Sequence, residues 1–227
     1  RRVADGYGAR VIEDACHALG TTYRATTGEV TTIGSCRDSD LAVFSFHPVK
    51  AIAMGEGGAV TTNDEGLYRR LLTLRSHGIT REAAQFENSE LAFDANGEPN
   101  PWYYEMSEPG YNYRASDINC ALGLSQLAKL DRYLEKRRLL TDRYNMLLGP
   151  LAPAVRPVAR ASNCNPAWHL YVALIDFDTI GISRAELMRK LSTRGIGTQV
   201  HYLPLHLQPY YRRRYGRMEL PGAEEYY

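Results

Sequence analysis

The chain has 227 residues, 44% hydrophobic and 23% charged, which suits a folded protein with room for one large domain or a domain and a half and argues against disorder. Its formal net charge of +1 gives no electrostatic pull toward nucleic acid or an anionic membrane, and a solvated face accounts for the one tight basic run, Arg212 to Arg214. No apolar stretch is long enough to span a bilayer and no signal peptide opens the sequence, which reads as starting in mid-protein.

In chain order, "ARVIEDA" at 9–15 reads as a short buried strand ending in carboxylates. "DLAVFSF" at 40–46 and "GGAVTTN" at 57–63 are two more strands. "DEGLYRRLLTLRSH" predicts a helix over 64–77 with Asp64 as its N-cap. A long polar-aromatic loop follows at 79–111, with the turn-rich "FDANGEPNP" inside it; it is too long for an idle connection in a compact domain. Residues 115–148 read as one long helix, because Ile118, Ala121, Leu122, Leu127, Leu130 and Leu134 recur at three- and four-residue steps. "GPLAPAVRP" at 149–157 is a rigid, extended linker where helices cannot continue. Beyond it, "HLYVALIDF" at 169–177 predicts a strand. "SRAELMRKLSTRG" at 183–195 predicts a helix with a Ser183–Glu186 capping box and Gly195 as its stop. "IGTQVHY" at 196–202 predicts a last strand. The pattern is an α/β domain over 1–149 followed by a smaller α+β unit over 150–227.

In such sheets ligands gather at the carboxyl ends of strands, and Glu13, Asp14, His17, Ser45 and Lys50 all fall just past predicted strand ends. Each has an ordinary explanation. Asp14 can cap a helix or form a turn, His17 can be structural, and Lys50 can lie in water beside the glycine turn "GEGG" at 55–58. Taken together they suggest chemistry. A lysine in a dry pocket can act as a neutral amine and form a Schiff base with a carbonyl. A buried carboxylate can hold a cationic ring nitrogen. A serine hydroxyl at a strand end can bind phosphate with nearby backbone N–H groups. That set is what pyridoxal 5'-phosphate needs. The four cysteines, Cys16, Cys36, Cys120 and Cys164, share no C-x-x-C spacing. Neither a metal site nor a disulfide framework is expected, and a reduced, cytoplasmic protein is the reading.

"VIEDACHALG", "FSFHPVKAIAMGEGGAVTTND" and "GYNYRASDINCALGLSQLAKLD", in that order, resemble the sugar aminotransferases of the DegT/DnrJ/EryC1/StrS family. The resemblance runs over nearly the whole chain, and the S-F-H-x-x-K-x-x-x-x-G-E-G-G pattern is its most specific part. It implies fold type I of the pyridoxal-phosphate-dependent transferases, the aspartate aminotransferase-like α/β fold. On this reading 1–149 is part of the large cofactor-binding domain, including the long connecting helix, and 150–227 is part of the small domain. Family members carry an N-terminal segment ahead of "VIEDACHALG" and a final helix after "MELPGAEEYY", so a fragment is expected. The resemblance makes Lys50 the Schiff-base lysine and Asp14 the partner of the pyridinium nitrogen. It puts His17 against the cofactor ring, where many relatives have glutamine, and Ser45 on the cofactor phosphate. Asn112, in "GYNYR", matches the asparagine that reaches the phosphate from a neighbouring subunit, which implies a homodimer with composite sites.

The stretch "GIGTQVHYLPLHLQPYYRRRYG" is similar to the branch of pseudaminic acid synthesis. That implies an amino-acid donor, L-glutamate, and a UDP-linked 4-keto-6-deoxy-N-acetylhexosamine acceptor. His201, Tyr202 and His206 are the candidate sugar contacts, since exposed aromatics and histidines on loops mark binding; packing around a proline turn is their plain alternative. His169 and Tyr171 read as strand core. Three rivals stay open: a dehydratase, which in such relatives replaces the lysine with histidine; an aminotransferase for a 4-amino-arabinose or perosamine type of sugar; and a catalytically silent regulatory homologue.

Overall fold

The computed structural model describes all residues 1–227. The chain divides into two compact units, one made of 1–150 with 157–173 and the other of 151–156 with 174–227.

The first unit is built on a three-stranded sheet. Strand β1 (Ile12–Asp14) lies parallel to β4 (Leu41–Ser45), and β4 pairs antiparallel with β5 (Gly58–Thr61). In β4 the side chains alternate, with Ala42 and Phe44 buried, as period-two burial requires. These two join Ala15 and Cys36 in the core, flanked by Ala18, Leu19, Ile33 and Phe46. At the opposite end of the sheet, Asp40 fastens β1 to β4. Its carboxylate accepts from the Val11 N–H and from the guanidinium groups of Arg1 and Arg10.

A second sheet has the order β3 (Val30–Thr32), β2 (Thr22–Arg24), β9 (Cys164–Asn165), all antiparallel. Strand β9 returns residues 157–173 to the first unit. Ala167 N–H then bonds the buried Thr21 hydroxyl at 2.9 Å, and the Tyr171 hydroxyl bonds Asn145. The long loop has its own structure: β6 (Ile79–Thr80) pairs with β7 (Glu105–Met106), and a short helix spans Ser89–Ala92. The Glu105 carboxylate accepts from the N–H groups of Glu87 and Asn88 and from the Tyr103 hydroxyl.

Several expectations hold. Helix α2 spans Glu65–Arg75, after a five-residue helix α1 (Arg2–Gly6), and the Asp64 carboxylate caps it by accepting from Leu67 N–H. Others are corrected. The single helix over 115–148 is two, Asp117–Leu127 and Leu130–Leu148. At the break Lys129 N–H bonds Gln126 O, a tightened i→i−3 turn, and Lys129 leaves helical dihedrals at φ −108° and ψ 2°; helical spacing of leucines continues through such a break, so periodicity does not reveal it. The strand over 169–177 contracts to β10 (Ala173–Ile175), paired with β8 (Val155–Pro157) inside the stretch read as a linker. Residues 196–202 find no ladder partner and form no strand.

The second unit carries helices over Phe177–Ile180, Arg184–Ser192, Pro209–Tyr215 and Pro221–Tyr226. Ser183 Oγ accepts from Glu186 N–H, but the Glu186 carboxylate pairs with Lys190 at 2.8 Å, so only half of the capping box forms. Gly195 ends that helix at φ +75°, with Ile196 N–H returning to Leu191 O. No helix of the chain is long and apolar enough to cross a membrane.

Candidate active site

Because β1 and β4 run parallel, their carboxyl ends lie side by side, and they deliver Asp14 and Ser45 to one edge of the sheet. Ala15 N–H bonds Val43 O at 2.8 Å just beyond the last paired residues. The chain then makes a turn, with Ala18 N–H on Ala15 O, that carries Cys16 and His17 past the strand end.

Asp14 Oδ1 accepts from the Cys16 N–H at 3.1 Å. The Cys16 thiol and that N–H hold the carboxyl below the usual carboxylate range, and the charges of His17 and Lys50 act in the same direction. Conversely, Asp14 pushes the Cys16 thiol up, against a smaller opposing effect of Lys50. Asp14, Cys16, His17 and Lys50 therefore form one electrostatic cluster, although 33 to 36 positions separate Lys50 from the others in sequence.

Lys50 sits half-buried on the connection from β4 to β5. That connection closes on itself: Phe46 N–H bonds Gly57 O, Met54 N–H bonds Phe46 O, and Lys50 N–H bonds His47 O, each at 2.9 Å. Ile52 and Met54 anchor its inner side, 2% and 4% exposed. Gly55 and Gly57 have φ of +84° and +155°, and a Cβ on Gly58 would lie 2.3 Å from Phe44 O, so the glycine cluster is a requirement of this turn and ladder. Ser45 Oγ lies at the mouth of the loop and accepts weakly from His47 N–H at 3.4 Å.

Two features escape a residue-by-residue reading of the sequence. The His17 ring meets the His169 ring, centroids 4.4 Å apart and tilted by 56°. The His169 carbonyl is in turn held by Arg137 Nη1 at 2.8 Å. Residue 169 reads as strand core in sequence because the returning β9 that brings it here is only two residues long. Second, Asn119, in the first turn of the helix Asp117–Leu127, donates to Met54 O and Glu56 O of the Lys50 loop.

Four further candidates remain. Asn112 is exposed and bridges Ser76 beyond the end of α2, flanked by the parallel rings of Tyr111 and Tyr113 at 4.8 Å. His201, Tyr202 and His206 belong to the second unit. The His201 and Tyr202 rings stack at 4.1 Å with Tyr202 exposed. His206 is buried, with its Nε2 on Glu224 Oε1 at 2.9 Å.

A carboxylate held low in the field of Lys50 and His17, with a serine hydroxyl at the same strand ends, suits a protonated pyridine ring carrying a phosphate and an aldehyde. The donor set fits pyridoxal 5'-phosphate.

The sequence pattern of the DegT/DnrJ/EryC1/StrS aminotransferase family matches residues 1–227. Among curated proteins, the spore coat polysaccharide biosynthesis protein SpsC of Bacillus subtilis is 36% identical over 228 residues, covering 99% of this chain and 54% of its own length. Among solved structures, PseC of Helicobacter pylori, an aminotransferase involved in pseudaminic acid biosynthesis, matches with a TM-score of 0.82 at 28% identity, over 100% of this chain and 54% of that one. A Streptococcus pneumoniae protein described as a sugar aminotransferase, solved in PLP and PMP forms, matches at 0.77 and 26%; its PLP form is covered over 53% of its chain by 100% of this one. The chain spans about half the length of the curated relatives it matches. The α/β fold is that of the pyridoxal-phosphate-dependent aminotransferases, and pyridoxal 5'-phosphate is their cofactor.

Proposed function

Because the chain belongs to the DegT/DnrJ/EryC1/StrS aminotransferase family, we propose that the whole protein moves an amino group from an amino acid, L-glutamate, to C4 of a UDP-linked 4-keto-6-deoxy-N-acetylhexosamine. The observation that carries this reading is the convergence of Asp14, His17 and Lys50 at the carboxyl ends of β1 and β4. The likeness to PseC supports the choice of sugar. The match to SpsC keeps a second reading in play, amination of another nucleotide-linked 4-keto sugar such as a 4-amino-arabinose or perosamine precursor.

In this proposal Lys50 Nζ holds the cofactor covalently at rest. Bound pyridoxal phosphate supplies an electron sink for the carbanion that forms when a C–H bond beside nitrogen is broken. Asp14 keeps the proton on the pyridine nitrogen, a task for a carboxylate that stays ionised, as this one does beside Cys16, His17 and Lys50. The free amine of Lys50 would take the proton from the donor Cα and, in the other half-reaction, would deliver one to C4 of the sugar. His17 packs on the ring. Ser45, with Asn112 of a second copy, receives the phosphate. His201 and Tyr202 are kept as candidate sugar contacts of the whole protein; His206, expected on an exposed loop, is instead buried against Glu224 and is withdrawn. The exposed apolar residues Ile118, Leu122, Leu124 and Leu127 on the helix Asp117–Leu127 support a homodimer, since such patches mark interfaces.

The test is borohydride reduction of the whole protein after incubation with pyridoxal phosphate, followed by peptide mass spectrometry. An adduct on Lys50 is the expected result. A folded protein with no adduct there would overturn the reading and leave the silent homologue. Assays with several 4-keto UDP-sugars then decide the acceptor.

A further inference from the structure

We propose that Asn119 is a positioning residue, which fixes the loop that carries Lys50 and so sets where the amine stands; this rests on the functional reading above. Its side chain is fully committed. The Asn119 N–H donates to Ser116 Oγ at 3.2 Å, and that hydroxyl returns a short bond to Asn119 Oδ1. The reciprocal pair fixes which end of the amide is oxygen, so Nδ2 faces the loop. There it donates to two carbonyls, a short bond to Met54 O and a longer one of 3.4 Å to Glu56 O.

Those carbonyls flank Gly55, and a Cβ on Gly55 would stand 2.6 Å from Asn119 Nδ2. The loop and the helix also interlock at Met54: a Cβ on Gly123 would meet Met54 Cβ at 3.3 Å, and one on Gly57 would meet Met54 Sδ at 2.6 Å. One end of the loop is tied to β4 through Phe46, and the other is tied to Asn119. Lys50 lies between the two ties, so its backbone has little freedom to drift. Removal of the amide donors leaves two carbonyls without their partner and frees the loop from the helix, so that only its own bonds through Phe46 still hold it. The helix itself keeps its Ser116 cap.

The decisive variant is Asn119→Asp in the whole protein. It keeps shape and length but turns a carboxylate toward two carbonyl oxygens. Hydrogen exchange read by mass spectrometry on the protein without added cofactor should show residues 46–58 exchanging about tenfold faster or more, with α2 and β1 unchanged. With cofactor and substrates, kcat should fall about tenfold or more while KM for the amino donor stays within about twofold, because the reacting amine is misplaced and the substrate's own contacts are intact. Asn119→Gln, which retains the amide donor, should recover a large part of both. Should the charged variant fail to fold, Asn119→Leu, close in volume and uncharged, carries the same expectations. Unchanged exchange over 46–58 in the Asp and Leu variants would overturn the clamp. Faster exchange with unchanged kcat would overturn its link to Lys50. A wild-type protein whose Lys50 forms no reducible adduct fails the functional reading alone, and the exchange result still decides whether Asn119 holds the loop.

Discussion

In the mechanism proposed above Lys50 and Asp14 divide the chemistry between them, and each can be removed separately. Lys50→Ala leaves the loop ties through Phe46 and Asn119 in place, so the protein should fold with an unchanged melting temperature and show no turnover above background in a coupled glutamate assay. Asp14→Asn loses the charge that favours a protonated ring nitrogen, and its kcat should fall by about 10²-fold or more, the scale of a lost acid–base partner. Near-normal kcat in Asp14→Asn would show that the carboxylate merely forms the turn through Cys16 N–H. Their places past the strand ends were legible in sequence: a carboxylate after "VIE", a serine and a lysine after "AVF". His169 and Asn119 were not. The first, 152 positions from His17, is brought in by a two-residue strand, and the other reads as one more polar residue on a helix. Their importance lies in what folds against them, and a single sequence does not record that.

The apolar runs of the first sheet announced its strands, although β1, expected to be buried, leaves Ile12 61% exposed because no element of this chain covers it, and the strands of the second sheet did not announce themselves. Ala42 and Phe44 stamp alternation on β4, whereas "TYR", "VTT" and "CN" in the second sheet carry little apolar pattern and depend on their neighbours for definition. Two predictions belong to this scale. Asp40 ties β1 to β4, and the Val11 N–H, then the Arg10 guanidinium, hold its carboxyl down at about 2 against an ordinary 3.8. A folded-state value below the unfolded one means that the ionised form stabilises the fold. That contribution is fully present above about pH 4 and disappears as pH falls toward 2. The melting temperature of Asp40→Asn should therefore lie below wild type by a constant amount from neutral pH down to about 5, and the gap should close between about pH 4 and 2. A gap that persists at the acid end would assign the effect to shape instead of charge. The second prediction concerns the base of the long loop. Gly78 has φ +72°, and a Cβ there would lie 1.6 Å from Glu108 O. Gly78→Ala must shift backbone on both sides and should cost about 2 kcal/mol or more in urea unfolding; a loss within about 0.5 kcal/mol would show that the base of the loop gives way easily.

At the scale of the molecule, the first unit exposes large apolar side chains along the helices Asp117–Leu127 and Leu130–Leu148, with Ile118 84% and Leu124 69% exposed. A dimer in which each site borrows Asn112 from its neighbour is the arrangement proposed here, and it makes a quantitative prediction. Lys50→Ala and Asn112→Ala subunits are each expected to be inactive alone. Co-expression pairs them at random, so about half of the dimers are mixed. If Asn112 acts across the interface, every mixed dimer has one site with both residues mutated and one with both intact. One good site in half of the dimers restores about a quarter of wild-type activity. If Asn112 acts within its own subunit, each site of a mixed dimer lacks one residue and nothing is restored. The assay needs only the two single variants, a tag on each to isolate mixed dimers, and the turnover of that fraction. Activity near half of wild type in the isolated mixed dimers supports the shared site, and activity no higher than that of the parent variants rejects it.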